Sequence, residues 1–496
     1  MSERYDLAVI GGGPAGLSIA EMGPRLGVRT AVIEVARLGG DCTWAGCVPS
    51  KALLAAASAH YRAGQTERFG LPRFEASGAV DLGRVMDLVH DHQQGIFERA
   101  DAPVILRARG VDVIEGRARF TGPDRLEVDG EAIDARYVVV ATGASAAVPP
   151  IPGLEEAGYL TSETVWALRE LPPRLLVIGA GVVGTELGQA FSRLGCSVTM
   201  VEAEPEVLPL LDREVGATLR AALEAEGVTI HTSATVREIE ARSGGPCAIV
   251  DVPGTGRIEL SVDQVLVAAG RRPNVGGLGL DEAGITYDAL DGITVDGNLR
   301  TSNARVYAAG DVIHGPRFTH VAALEGVAAM MAAVLLMPRP LDYRLVPSVT
   351  YTSPETASVG LTEAEARDRF GDDVRVYRSP MLESDRATVE QAPTGFVKVV
   401  TRGGKDRIEG AQIVAPAAGE LIHEFGLAMR EGLGLRDLAA LPHAYPSYSV
   451  SSQMAGVEAV RPWLEGGSVQ RFASVARRVP NERVRDVVRA MLRRLG

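Results

Sequence analysis

The chain reads YDLAVIGGGPAGLSIAEMGPRLGVRTAVIE over residues 5–34 and LLVIGAGVVGTELGQAFSRLGCSVTMVE over residues 175–202. Each stretch opens as an apolar strand and turns through a GxGxxG set. The first set is Gly11, Gly13 and Gly16; the second is Gly179, Gly181 and Gly184. A helical pattern follows, then a second apolar strand that ends in an acid, Glu34 or Glu202. The spacing from first glycine to acid is the same in both, so one βαβ unit occurs twice. The glycines permit a tight turn and let the backbone approach a pyrophosphate, which the helix N-terminus stabilises. The acid can accept hydrogen bonds from an adenosine ribose. One set alone is weak in a chain with 56 glycines, but two in matching context predict two bound dinucleotides.

Further strands fit around the repeats. YVVVATG (137–143) and VLVAAG (265–270) each read as a buried strand entering a glycine turn, and VYAAGD (306–311) ends in Asp311. PPIPG at 149–153 is a rigid connector. From about Val346 the pattern alternates, as in an antiparallel sheet, at 348–352 and 396–400, with helical stretches near 418–432 and 450–460. The last stretch, from Gln470, is arginine-rich. Val484, Val487, Val488 and Met491 recur there at helical spacing, which reads as a solvated amphipathic helix; acidic-partner or membrane docking is the alternative.

The 496 residues suffice for about three domains. A net charge of −12 argues against nucleic acid or an anionic membrane as main partner. The longest apolar run, Val327 to Met337, is too short to span a bilayer. No secretory pattern is visible near Ser2, so a cytoplasmic location is expected. Four cysteines are too few for a disulfide scaffold. Lysine is confined to Lys51, Lys398 and Lys405, which draws attention to any lysine inside a motif.

Cys42 and Cys47 lie in GGDCTWAGCVPSK, residues 39–51. The CxxxxC spacing alone is compatible with chance, a metal half-site or a redox pair. Without a neighbouring Cys or His cluster, no metal site is expected. Pro49 suits the first turn of a helix through KALLAAASA, so Cys47 stands at or just before a helix N-terminus, where the dipole stabilises a thiolate. Cys196 and Cys247 are isolated, and Cys196 reads as a core residue.

These residues resemble the class I pyridine nucleotide–disulfide oxidoreductase family, which includes glutathione reductase, dihydrolipoyl dehydrogenase and mercuric reductase. GRRPN (270–274) and SPETASVG (353–360) also match it. The resemblance implies an α/β architecture of two three-layer, Rossmann-like dinucleotide-binding domains and a C-terminal α+β dimerisation domain. The FAD domain would comprise 1–150 and 275–345, and the NAD(P)H domain 151–274. The interface domain would cover 346–470, and the basic tail 471–496. FAD would be held at Gly11, Gly13, Gly16, Glu34, Gly40, Thr142, Gly143 and Asp311. The nicotinamide nucleotide would be held at Gly179, Gly181, Gly184, Glu202 and Gly270.

The same resemblance makes Cys42–Cys47 a redox disulfide. Cys42 would be the exchange thiol, and Cys47 would contact the flavin and form a charge-transfer complex with it. Lys51 matches the lysine beside the flavin, and Glu186 its ion-pair partner. A titratable cation there can stabilise negative charge on a reduced flavin; a solvated helix lysine is the plainer alternative. Glu202, followed by AEPE, favours NADH over NADPH, because an acid repels the 2′-phosphate.

One stretch departs from the family. Disulfide-reducing members carry a His-Pro and a downstream Glu that the two subunits of a homodimer exchange. LPHAYPSYSV (441–450) has Tyr445 and Val450 at those positions, with His443 two residues earlier. An unperturbed tyrosine, with a pKa of about 10, is a poor base near neutral pH but can donate a proton. The leading expectation is therefore a mercuric-reductase-like enzyme passing electrons to a small-molecule or metal-ion acceptor. Against it, the chain ends MLRRLG without a vicinal cysteine pair, and no CxxC metal-carrier segment precedes the first strand. The alternatives are a dihydrolipoyl-dehydrogenase-like enzyme with His443 as substitute base, and a quinone reductase or slow flavin redox sensor.

Overall fold

A computed structural model describes residues 4–73, 79–465 and 467–478, with 486 and 490. It divides into two compact units, Met1–Ser353 and Pro354–Gly496. Val484, Val487, Val488 and Met491 lie outside the described residues. The segment leading to them forms a helix over Gly467–Arg478.

The first unit holds two parallel sheets. Strands β1 (Tyr5–Ile10), β2 (Thr30–Glu34), β3 (Asp112–Glu115) and β4 (Ala135–Val140) belong to one of them. The other consists of β5 (Arg174–Ile178), β6 (Ser197–Val201), β7 (Thr229–His231) and β8 (Gln264–Val267), in the order β7-β6-β5-β8. The chain then returns to the first sheet as β9 (Val306–Ala308), completing the order β9-β4-β1-β2-β3. Residues Leu7 to Ile10 and Leu175 to Ile178 are buried throughout, as central strands covered on both faces require.

The crossing between the sheets is a two-stranded antiparallel ribbon of Ala144–Ala146 with Arg271–Pro273. Beside it, Thr142 Oγ1 donates to the Asn274 carbonyl at 2.8 Å and Asn274 Nδ2 donates to the Thr142 carbonyl at 3.0 Å. The exit and return of the inserted domain are thus tied together, so that insertion leaves the first sheet intact.

Helix α1 (Pro14–Met22) follows β1. Farther along come α2 (Gly40–Trp44), α3 (Cys47–Ala63) and α4 (Leu82–Ile96). Helix α5 (Val182–Arg193) follows β5, and α6 (Thr319–Val334) packs on α1. The outer glycines of each fingerprint serve packing. A Cβ on Gly16 would stand 2.0 Å from the Gly11 carbonyl oxygen, and one on Gly184 equally close to that of Gly179. Gly11 and Gly179 adopt φ of +115° and +101°. The middle glycines are extended, and a Cβ on Gly181 would meet nothing within 4 Å.

In the second unit, β10 (Glu355–Gly360), β11 (Val374–Pro380), β12 (Phe396–Arg402) and β13 (Arg407–Ala415) form antiparallel pairs in the order β10-β13-β12-β11. Helices α7 (Ala418–Arg430) and α8 (Val450–Glu465) pack against it, burying Val397, Val399, Ile413, Ile422 and Phe425. Among the described residues, no helix is long and apolar enough to cross a membrane.

The glycine geometry sets an order of tolerance. Gly16→Ala and Gly184→Ala should each cost about 1–3 kcal/mol through overpacking, whereas Gly181→Ala should leave the thermal transition close to wild type. Thermal denaturation of the three variants checks this; an equal loss at Gly181 contradicts it.

Candidate functional site

The two fingerprints make two similar cradles. Oε2 of Glu34 accepts the Gly12 N–H at 2.7 Å and Oε1 that of Ala36 at 2.7 Å. Glu202 repeats this, accepting from Ala180 at 2.6 Å and Glu204 at 2.9 Å. Each acid therefore braces its own glycine loop, a task the spacing alone does not disclose. In the first cradle Gly13 faces only the Cα of Gly40, 3.9 Å from where a Cβ would stand. Open space before each middle glycine, at the start of a helix, fits the pyrophosphate of a dinucleotide. A cleft of about 500 Å³ opens at the second cradle, lined by Gly179, Gly181, Val182, Glu202, Ala203 and Gly270 among others. Gly143 and Gly270 close the corresponding turns with φ of +69° and +112°.

The cysteine segment leans on the first cradle. Gly39 and Gly40 take φ of +101° and +55°, and a Cβ on Gly40 would stand 2.8 Å from the Gly13 Cα. This turn starts α2, which carries Cys42. After the break at Ala45 and Gly46, Cys47 is the first residue of α3. Both are thiols in this structure, and Cys42 hydrogen-bonds to Cys47. The Oγ1 of Thr319, the first residue of α6, lies 3.2 Å from Cys47 Sγ.

The pair is electrostatically uneven. The hydrogen bond from Cys42 brings the Cys47 thiol well below its ordinary range, aided by Thr319 and the Lys51 cation against burial and Glu186. Cys42 moves the other way, through the same bond and burial. One turn into α3, Lys51 Nζ stands 2.8 Å from Glu186 Oε2, and 4.5 Å from the centre of the Tyr351 ring. Glu186 is only 3% exposed, and its Oε1 accepts the Tyr351 N–H at 2.9 Å. Lys51 and Glu186, read from opposite repeats, are thus brought together.

Asp311 follows β9, where burial raises its carboxyl pKa against the pull of Arg271, whose Nε is 3.5 Å away. Arg271 also pairs with Asp41 and donates to the Ala144 carbonyl, linking the ribbon to the residue before Cys42. The Gly310 N–H donates to the buried Glu325 at 2.6 Å, which fixes the turn that presents Asp311. Arg271 was visible only as part of GRRPN, and Thr319 had no sequence signal because its role depends on where α6 begins.

In the second unit, Tyr445 is 74% exposed and its hydroxyl donates to Asp385 Oδ2 at 2.7 Å. That bond raises the tyrosine pKa further. Val450 opens α8 and brings no carboxylate. His443 Nδ1 is 2.9 Å from the Leu441 carbonyl and Nε2 is 2.9 Å from Glu424. Both nitrogens are thus engaged within the second unit.

Residues 5–326 match the family model for pyridine nucleotide-disulphide oxidoreductases, and residues 346–455 match its dimerisation domain. The chain belongs to this family. Membership implies an FAD- and NAD(P)H-binding fold and makes the protein a flavin-dependent disulfide oxidoreductase. A dihydrolipoyl dehydrogenase of Thermus scotoductus is 40% identical over 457 residues, covering 90% of this chain and 95% of that protein. A mercuric reductase of Staphylococcus aureus is 36% identical over 438 residues, covering 88% and 78%. Among solved structures, the Cu(II) complex of the HOCl-induced flavoprotein disulfide reductase RclA from Escherichia coli superposes with a TM-score of 0.80 at 27% identity, covering 92% and 99%. LpdA from Mycobacterium tuberculosis gives 0.82 at 29%, covering 91% and 99%. The relatives divide between dihydrolipoyl dehydrogenases and mercuric reductases, so the leaning to mercury drawn from Tyr445 is not favoured.

The charges on either side of Cys47 predict opposite shifts. Lys51→Met removes the cation that favours the thiolate, so the pH profile of Cys47 alkylation should move to higher pH; Glu186→Gln should move it lower. Shifts in the same direction would contradict the arrangement.

Proposed function

We propose that the protein uses NADH to reduce a disulfide acceptor through Cys42 and Cys47. The observation that carries this reading is the uneven thiol pair, with Cys47 beside Thr319 and the Lys51–Glu186 pair. FAD, when bound, supplies a two-electron relay between the nicotinamide and the sulfur pair. It would be held by Gly11, Gly13, Gly16, Glu34, Gly40, Thr142, Gly143 and Asp311. Gly179, Gly181, Gly184, Glu202 and Gly270 would hold the nicotinamide nucleotide, with Glu202 and the acidic residues after it disfavouring a 2′-phosphate.

The thiol steps follow from the sulfur chemistry. Cys42 passes its proton to Cys47 across their hydrogen bond, attacks one sulfur of the acceptor and forms a mixed disulfide, and the released thiolate takes that proton from Cys47. Cys47 then attacks Cys42, which restores the Cys42–Cys47 disulfide and releases the second thiolate. Two protons complete the product thiols, one from Cys42 and one from solvent or a neighbouring acid. In a homodimer, Tyr445 of a second copy would supply that acid, and Asp385 keeps the phenol protonated. Near pH 7 a protonated phenol is ready to complete a leaving thiol, whereas little phenolate is present to take a proton from a dithiol.

NADH-dependent lipoamide reduction should exceed dihydrolipoamide-dependent NAD+ reduction near pH 7. Tyr445→Phe should slow the former by about a hundredfold, while His443→Ala should stay near wild type. A faster reverse reaction, or its collapse in His443→Ala, would overturn the directional reading. NADH should also exceed NADPH in kcat/KM, and parity would remove the role given to Glu202. A thiophilic metal ion as acceptor is the second reading, favoured by the similarity to mercuric reductases. Mercury-dependent NADH oxidation exceeding that with any disulfide would select it.

A further inference from the structure

The turn that carries Cys42 is held by a buried acid outside both fingerprints. Asp101 is 8% exposed, and its Oδ2 accepts the hydroxyl of Thr43, the residue after Cys42, at 2.9 Å. It ends a π-helical turn, Phe97–Asp101, in which the Ala102 N–H reaches the Phe97 carbonyl at 2.8 Å. The wider turn rotates the last side chain relative to a continued α4, and here it aims Asp101 at α2. There is no slack at the contact, since a Cβ on Gly39 would stand 3.0 Å from the same oxygen.

Two cations also face α2: Arg37 lies over the Trp44 ring, 3.3 Å from its centre, and Arg271 pairs with Asp41. The Trp44 ring packs on Phe97 with centroids 5.3 Å apart. Gln93 donates to the Trp44 carbonyl at 2.8 Å, and Trp166 to the Ala45 carbonyl at 3.2 Å. A hydroxyl can be satisfied by a neutral acceptor, whereas a buried carboxylate carries a desolvation cost. What the acid adds over a neutral acceptor is negative charge beside Cys42.

We propose that Asp101 is a positioning residue of the sulfur pair: through Thr43 it fixes the turn that carries Cys42, and it adds negative charge on the Cys42 side of the pair. This rests on the reading of the two cysteines as a redox pair. The charged groups around the two sulfurs differ in sign. Asp101 opposes ionisation of Cys42, and Lys51 favours that of Cys47 against Glu186. Asp41, on α2, is engaged with Arg271. On α6, Thr319 faces Cys47, while His320 is exposed. Around Asp101 itself, burial raises the carboxyl pKa, and Thr43 and Arg109 lower it. Asp87, His90, Asp91 and His92 of α4, with Glu98 and Arg99 of the π-turn, are exposed.

The test uses the full-length flavoprotein reduced with NADH. A short iodoacetamide pulse across a pH series is followed by peptide mass spectrometry of Cys42 and Cys47. Asp101→Asn keeps an acceptor for Thr43 and removes the charge. It should raise the Cys42-to-Cys47 labelling ratio at pH 7 by about tenfold, the equivalent of one pKa unit. In wild type, the ratio should rise as pH falls through the titration of Asp101. Thr43→Val removes a bond that favours the charged carboxylate, so that rise should begin at higher pH. An Asp101→Asn protein that binds flavin normally but keeps the wild-type ratio overturns the proposal. An unshifted profile in Thr43→Val overturns it even if Asp101→Asn does not fold. Labelling that ignores NADH in every protein overturns the redox-pair reading itself.

Discussion

The ion pair of Lys51 and Glu186 joins parts of the chain that belong to different dinucleotide-binding domains. Lys51 lies on α3, one turn beyond Cys47, and Glu186 on α5, just past the second fingerprint; the two helices pack together. Glu186 is buried, and an isolated carboxylate at such a depth would be costly, so its pairing with Lys51 and the Tyr351 N–H is a condition for packing α3 on α5. The same contact delivers positive charge to Cys47. Assembly of the domains and polarisation of the thiol pair are therefore served by one interaction.

The two fingerprints also show how duplication constrains what each residue can be. In both, the first and third glycines are required by carbonyl oxygens about 2 Å from a would-be Cβ, and the terminal acid is bonded to the loop it follows. Only the middle glycine faces space. The duplicated units differ in what leans on them. The first supports the Gly40 turn and, through it, the cysteines, whereas the second opens onto a cleft. Two similar cradles thus differ in the residues packed around them.

Chemistry at the thiols depends on proton placement, and here the chain has rearranged its groups. The imidazole nearest in sequence to the expected acid–base is held between Leu441 and Glu424. Tyr445 is exposed and bonded to Asp385, which favours its protonated form. A carboxylate in the first unit, Asp101, lies beside the Cys42 turn. In each case a titratable side chain is held by a partner distant in the chain or by backbone.

Local pattern was sufficient for the two βαβ units, the strand positions at 137–143 and 265–270, and the helix that begins at Cys47. Those features rest on glycine sterics and apolar periodicity, which act over a few residues. Lys51 and Glu186 were legible as a pair through family resemblance, and the structure places them 2.8 Å apart. Other partners were not legible: Thr319 from Cys47, Asp101 from Thr43, Asp385 from Tyr445 and Glu424 from His443 are distant along the chain or separated by turns with no fixed periodicity. The sequence by itself determined that two dinucleotide-binding folds and a cysteine pair share this chain. Only the tertiary structure brings Thr319 and Lys51 to Cys47 and sets His443 between Leu441 and Glu424, because such contacts join residues that folding alone makes neighbours.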